Sequence, residues 1–269
     1  MLRVRDLCTW FPIRSGWRGR ISGHIKAVDE VSFHVEKGST VGLVGESGSG
    51  KSTIARTLLK LYSPGQALIR GDAIFQGQEI LALPEDQFRP IRRDMQMVFQ
   101  DPFGSLNPRQ SVASILGEPL EIHCAAMTKL DRRDRAVDML KQVGLPADAI
   151  DRFPHEFSGG QRQRIGIARA LAVQAKFLIL DEPVSALDVS VQAQIVNLLQ
   201  DLQASLDLTY LFIGHDLAVI EHLCDRVLVM HRGKLVESGP KEQIYGDPQH
   251  EYTRTLLAAA SNGGMTKSE

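Results

Sequence analysis

Cysteine is scarce in this sequence. Three residues, Cys8, Cys124 and Cys224, lie far apart in a chain of 269. They form no Cys-x-x-Cys pair and no metal-ligand grouping, so reduced thiols in a cytosolic setting are expected. Long apolar runs are also missing. The longest, such as Phe177-Leu178-Ile179-Leu180, are strand-sized, against the roughly 18–20 residues that span a bilayer. Any membrane role must then come through a partner. The first residues carry Arg3 and Arg5 but no apolar stretch of signal length, so no secretory leader is expected. Charge of one sign is not in excess either: 31 basic residues meet 32 acidic ones, for a net charge of −1. Such a chain is no general magnet for nucleic acid, and none is expected as a partner. There is no internal repeat, low-complexity segment or sustained heptad.

What remains is ordinary for a folded soluble protein: 43% hydrophobic and 23% charged residues. The length suits one large domain, or a core with a subdomain. Residues 1–11 read as an edge strand carrying Leu2, Val4 and Leu7. Residues 12–26, with three Gly, one Pro, three Arg, one Lys and no acid, read as a loop. The basic residues Arg14, Arg18, Arg20 and Lys26 there read as a solvated face. Val28–Val35 alternates like a half-buried strand, Glu36-Lys37-Gly38 is a turn, and Val41–Val44 is a short apolar strand. Ile54–Leu61 has helical spacing and ends at Ser63-Pro64-Gly65. Residues 84–175 read as mostly helical. Beyond them come a strand at 177–180, a helix at 189–206, a strand at 208–213, a helix at 217–223 and a strand at 227–230. Buried strands alternating with helices imply an α/β fold with a mainly parallel sheet covered on both faces. The helical stretch would be an insertion, and residues 261–269 a frayed tail.

Gly45-Glu46-Ser47-Gly48-Ser49-Gly50-Lys51-Ser52 fits Gly-x-x-x-x-Gly-Lys-Ser between a strand and a helix. The glycines let the backbone curl so that its N–H groups point at phosphate oxygens. The helix N-terminus adds positive potential. Lys51 would neutralise β- and γ-phosphates, Ser52 offers Mg²⁺ a hard oxygen, and Thr53 could reach the α-phosphate. Further on, Phe177–Leu180 leads into Asp181-Glu182, two carboxylates at the end of a buried strand, where α/β folds gather their chemistry. Asp181 is placed to hold Mg²⁺. Glu182, pointing elsewhere, can orient or deprotonate an attacking water. Together the motifs point to nucleotide hydrolysis.

Phe157-Ser158-Gly159-Gly160-Gln161 resembles the signature of ABC ATPases, with Phe157 where Leu is more usual. The remaining motifs follow the family's order. Gln100, in Val98-Phe99-Gln100-Asp101-Pro102, matches the Q-loop. Ser185-Ala186-Leu187-Asp188 matches the D-loop, and His215, in Gly214-His215-Asp216, the switch histidine. The resemblance covers nearly the whole chain. It implies a P-loop NTPase (RecA-like) core with a mainly parallel sheet, an N-terminal antiparallel β subdomain and an inserted α-helical subdomain. On this reading residues 1–246 form the ATPase domain, with the helical insertion at roughly 88–172, and 247–269 a short C-terminal extension. It also implies a head-to-tail dimer. One subunit's Gly45, Ser47, Gly48, Ser49, Gly50, Lys51, Ser52 and Thr53 would share an ATP with the partner's signature. Ser158, Gly159, Gly160, Gln161 and Asp188 would therefore serve in trans. Gln100 would sense Mg²⁺ and water beside Ser52 and Asp181, and His215 would contact the γ-phosphate and help hold Glu182. Lys51, Glu182, Gln100 and His215 are thus the catalytic set. The aromatic that stacks on adenine is left between Phe11 and Trp17.

The stretches Phe99–Arg109, Pro183–Gln194 and Pro248–Leu257 are similar to those of peptide (and nickel) importer ATPases. That family implies a second, paralogous ATPase chain, two transmembrane permease subunits and a substrate-binding protein, with this chain peripheral on the cytoplasmic face of the membrane. Some members carry an iron–sulfur cluster, but with no cysteine after Cys224 none is expected here. The resemblance leaves nickel, another solute, or a complex without transport as alternatives to di- or oligopeptides. A P-loop kinase has no need of the signature, and a GTPase should show Asn-Lys-x-Asp, which is absent.

Overall fold

The computed structural model describes residues 1–15, 20–101 and 104–263. The chain divides into two compact units, Met1–Pro84 with Leu211–Glu269, and Glu85–Tyr210.

The first unit opens with β1 (Leu2–Ser15) and β2 (Arg20–Val35), a long antiparallel hairpin. β3 (Thr40–Val44), α1 (Lys51–Leu58), β4 (Leu68–Phe75) and β5 (Gln78–Glu79) follow. β1 is not an edge. It lies between β2 and β4 in the antiparallel order β2-β1-β4-β5. The alternation of Leu2, Val4 and Leu7, all buried, reports one covered face and is silent on neighbours. Residues 12–15 and 20–26 are strand rather than loop, with Phe11 opposite Ile25 and Ile13 opposite Gly23. Their glycines and arginines suggest a loop because this end of the hairpin buries little: Ile13, Ile21 and Ile25 are exposed. Asp6 has φ 47° at the register shift between Val4 and Leu7. Its N–H donates to Ser32 Oγ at 2.8 Å, and that hydroxyl donates back to Asp6 Oδ1 at 3.1 Å. The bulge is thereby locked by side chains.

The second unit holds α2 (Glu85–Asp94), β6 (Met95–Val98), α3 (Val112–His123), α4 (Lys129–Gln142), α5 (Gly159–Ala172), β7 (Phe177–Asp181) and α6 (Val189–Leu206). α3, α4 and α5 pack on one another through Ile115, Leu116 and Leu120, Ala136, Met139 and Leu140, and Ile165, Ala168 and Leu171, all buried. β6 pairs parallel with β7, Met95 beside Phe177 and Val98 beside Leu180. This strand interrupts a stretch whose sequence reads as helical; four residues are too few to show a period.

β8 (Thr209–Ile213) carries the chain back into the first unit. There α7 (Leu217–Leu223), β9 (Arg226–His231), β10 (Lys234–Pro240), α8 (Lys241–Gly246) and α9 (Glu251–Gly263) follow. β9 lies parallel to β3, with Val44 beside Val229, and β10 returns antiparallel to β9. The fold is thus α/β, with an antiparallel N-terminal sheet and parallel strand pairs in each unit. α9 runs on through residues 261–263, and residues 264–269 of the expected tail lie outside the described residues.

Candidate functional site

Every residue of β3 is buried. The chain leaves it through Gly45, Gly48 and Gly50, all at positive φ (146°, 80° and 108°), a region costly for other residues. Close approach adds a second constraint. A Cβ on Gly45 would fall on the Met230 carbonyl oxygen, and one on Gly50 on that of Ala27. The loop closes with Ser49 N–H on the Glu46 carbonyl (3.1 Å), and the Ser49 carbonyl accepts from Gly233 N–H (2.9 Å). Gly50 caps α1 without any side-chain hydrogen bond, so the helix start presents backbone donors. Lys51 is 4% exposed. Its ammonium donates to the carbonyls of Gly45 (2.8 Å) and Glu46 (2.9 Å). Ser52 and Thr53, on the first turn of α1, are half-buried.

In the second unit, Asp181 ends β7 and is 3% exposed. Glu182 follows at φ 48°, a left-handed backbone uncommon for a non-glycine residue. Glu182 is half-buried, whereas Asp181 is buried. Gln100, just beyond β6, donates from Nε2 to Glu182 Oε2 at 3.0 Å. Arg169 of α5 fixes the segment after Gln100 by donating from Nη1 to the Ser105 carbonyl (2.7 Å). Burial lowers that guanidinium's pKa, and Glu118 partly restores it.

Ser158 is the N-cap of α5 in a reciprocal capping box: Gln161 N–H donates to Ser158 Oγ (3.3 Å), and Ser158 N–H to Gln161 Oε1 (3.0 Å). Phe157, the departure from the usual signature, is buried at 6% exposure, so its ring serves as core where Leu would. A Cβ on Gly160 would collide with Val191 of α6. The glycine is demanded by packing.

The comparisons with known proteins bear on this arrangement. Residues 28–185 match the ABC transporter family model. The oligopeptide transport ATP-binding protein AppF of Bacillus subtilis is 51% identical over 96% of this chain and 78% of its own length. The chain belongs to the ABC transporter family. A putative peptide import ATP-binding protein of Brucella ovis is likewise 51% identical, over 96% of this chain and 78% of its own. Among solved structures, the dimeric ATP-binding cassette MJ0796 bound to ADP and Pi superposes with a TM-score of 0.76 at 28% identity, covering 90% of this chain and 99% of that one. This chain is accordingly an ABC ATPase, and ATP is the nucleotide it binds and hydrolyses.

The other motifs of an ABC ATPase fall as follows. Asp188 is the N-cap residue of α6 but makes no side-chain capping bond, and it is exposed. Gln192 Nε2 donates to the carbonyls of Val184 (3.1 Å) and Leu187 (2.9 Å), clamping the turn between Glu182 and Asp188. His215 follows β8 and is exposed, while Asp216 caps α7 through Ala218 and Val219 N–H. Phe11 packs edge-on against Tyr62, centroids 5.2 Å apart. Trp17 lies outside the described residues. The phosphate loop, Phe11 and His215 belong to the first unit; Gln100, Asp181, Glu182, Asp188 and the Ser158–Gln161 turn belong to the second. Sequence reasoning does not find the loop's supports, Ala27, Met230 and Gly233. Their contribution is backbone, which no residue type announces.

Proposed function

We propose that this chain is the ATP-hydrolysing subunit of an importer for di- or oligopeptides. The observation that carries the proposal is the 51% identity, over 96% of the chain, to an oligopeptide transport ATP-binding protein. A relative from Agrobacterium fabrum, 49% identical over 96% of this chain and 46% of its own length, is named for peptidoglycan transport. It keeps the solute peptide-like but widens its size range.

In this reading the nucleotide's phosphates lie on the N–H groups of Gly45 and of residues 47–53. Lys51 exchanges the carbonyls of Gly45 and Glu46 for β- and γ-phosphate oxygens. Glu182 orients the attacking water and takes its proton, Gln100 holds that carboxylate in place, and His215 faces the γ-phosphate. Ser52, Asp181 and Gln100 offer the hard oxygen donors Mg²⁺ prefers, and the ion would supply neutralisation of phosphate charge. The joint action of the two units' residues on one nucleotide is part of the proposal. So is a head-to-tail dimer in which Ser158, Gly159, Gly160, Gln161 and Asp188 face the partner's ATP; the solved MJ0796 cassettes are dimeric. Residues 1–246 would be the ATPase domain, with the helical insertion at 88–172, and 247–269 an extension. Among the described residues no helix is long and apolar enough to cross a membrane, which fits a peripheral subunit on two permease subunits and, with them, a second ATPase chain and a substrate-binding protein.

The test is purification of this chain from its native membrane. Recovery with two polytopic subunits, and ATPase activity stimulated by a peptide-loaded binding protein in vesicles, is the expected result. Recovery with soluble partners alone would refute transport.

A further inference from the structure

The segment beyond β10 is anchored with care. Glu237 of β10 accepts from the N–H groups of Gln249 (2.7 Å, Oε1) and His250 (3.0 Å, Oε2). Arg254 donates to the carbonyls of Pro248 (3.0 Å, from Nε) and Gln249 (2.7 Å, from Nη2). Tyr252 N–H donates to His250 Nδ1 at 3.1 Å. These contacts fix the first turn of α9, and that turn delivers one side chain to the phosphate loop. Tyr252 Oη accepts from the backbone N–H of Glu46 at 3.1 Å. The Tyr252 ring lies flat on His231, with centroids 4.0 Å apart and planes 10° apart. His231 ends β9, the strand beside β3. Its neighbours Met230 and Gly233 are the residues whose backbones meet Gly45 and Ser49.

We infer that Tyr252 is a positioning residue for ATP binding, through which the C-terminal helix braces the mouth of the phosphate loop. The hydroxyl takes the Glu46 N–H out of the loop's anion-facing set and orients the peptide plane that follows Gly45. The carbonyls of Gly45 and Glu46 are the ones on which Lys51 rests, so the same plane also sets where the ammonium waits. The His231 ring restricts Tyr252 to one rotamer and so lowers the entropy lost in holding the bond. Because the brace and the nucleotide share one loop, their effects are reciprocal. A seated α9 favours ATP, and bound ATP favours a seated α9.

This inference rests on the ATP-site reading given above, and the experiment separates the two. Tyr252→Phe keeps the ring on His231 and removes the acceptor. In the assembled transporter it is expected to raise KM for ATP about 2- to 10-fold, the worth of one hydrogen bond, with kcat nearly unchanged. In the nucleotide-free chain, amide exchange at Glu46 should quicken by a similar factor. His231→Ala, which removes the platform but leaves the hydroxyl, should give a smaller shift in the same direction. Saturating ATP should slow amide exchange across the first turn of α9 in the wild type and less so in Tyr252→Phe. Unchanged KM and unchanged Glu46 exchange in Tyr252→Phe would overturn the brace. So would a lower melting temperature with KM unchanged, since that marks a purely structural role. If the wild-type chain fails to bind ATP, the site reading falls, while Glu46 exchange still decides whether Tyr252 holds the loop.

Discussion

Glu182→Gln isolates the chemistry of the carboxylate from its packing. Glutamine has the same shape and keeps one side-chain oxygen, so Gln100 Nε2 retains an acceptor at the position where it now meets Oε2 at 3.0 Å. The backbone at φ 48° is equally strained in either residue, and Asp181 stays buried at the strand end. What disappears is the negative charge and the capacity to take a proton. A positioned general base is worth about 10²–10⁴ in rate, or roughly 3–5 kcal/mol of barrier. The phosphate loop, which is in the first unit, is untouched, so ATP affinity should stay within about threefold, under 1 kcal/mol. The assay pairs steady-state phosphate release by the assembled transporter with equilibrium binding of a fluorescent ATP analogue. Size-exclusion chromatography with ATP should also show the variant enriched in a dimer that cannot reopen. A kcat within about tenfold of wild type would place the carboxylate outside general-base chemistry. A comparable loss of ATP binding would show that Glu182 acts on affinity, and would refute the reasoning equally.

Other perturbations address the remaining parts. Ser158→Arg should suppress hydrolysis in the assembled complex by about tenfold or more, the scale of a lost oriented contact, yet leave ATP binding by the isolated chain intact. Equal turnover would argue against a site completed in trans. Gly160→Ala drives a methyl into Val191; overpacking of this kind costs about 1–3 kcal/mol, so differential scanning calorimetry should record a lower melting temperature. Gln192→Ala removes two hydrogen bonds from the turn after Glu182 and should lower kcat while KM for ATP holds, measured by the same phosphate-release assay. Burial pushes the Cys224 thiol well above its ordinary range, with Asp225 adding to the effect. Cys8 is buried too, and Cys124 only partly. A chromogenic disulfide should therefore titrate one thiol in the native chain and all three after denaturation.

The parts of the fold that were legible in the sequence are those whose residues announce themselves. α6 and α7 begin and end where their apolar spacing says. β3 and β7 are apolar runs that end on chemistry. The glycines of residues 45–50 have no use except at positive φ and close approach. Less legible were features that depend on a partner strand. Met95–Val98 is a strand because Phe177–Leu180 lies beside it, and the pairing is remote in sequence. The upper hairpin pairs through backbone while Ile21 and Ile25 stay exposed, so its hydrophobic pattern carries little information. The contact of Tyr252 with Glu46 spans more than two hundred residues. A sequence can place Tyr252 in a recognisable segment without showing which atom its hydroxyl meets.

Glu182 takes a left-handed backbone one residue beyond the buried Asp181. The reversal at φ 48° brings Glu182 out to half-burial beside Gln100, at a strain cost of about 1–3 kcal/mol. Ser185 meets that cost in part: its N–H (3.3 Å) and Oγ (3.1 Å) both donate to the Glu182 carbonyl. Gln192 then clamps Val184 and Leu187, and Val191, one residue earlier in α6, sits against Gly160. Within one unit, contacts therefore run from Glu182 to the Ser158-Gly159-Gly160 turn. If that turn receives the partner's nucleotide, the geometry of Glu182 answers to an ATP this chain does not itself hold. Contiguity alone does not prove coupling. Gln192→Ala measures it, because that side chain touches neither the proposed nucleotide contacts nor Glu182, and acts only on the turn between them.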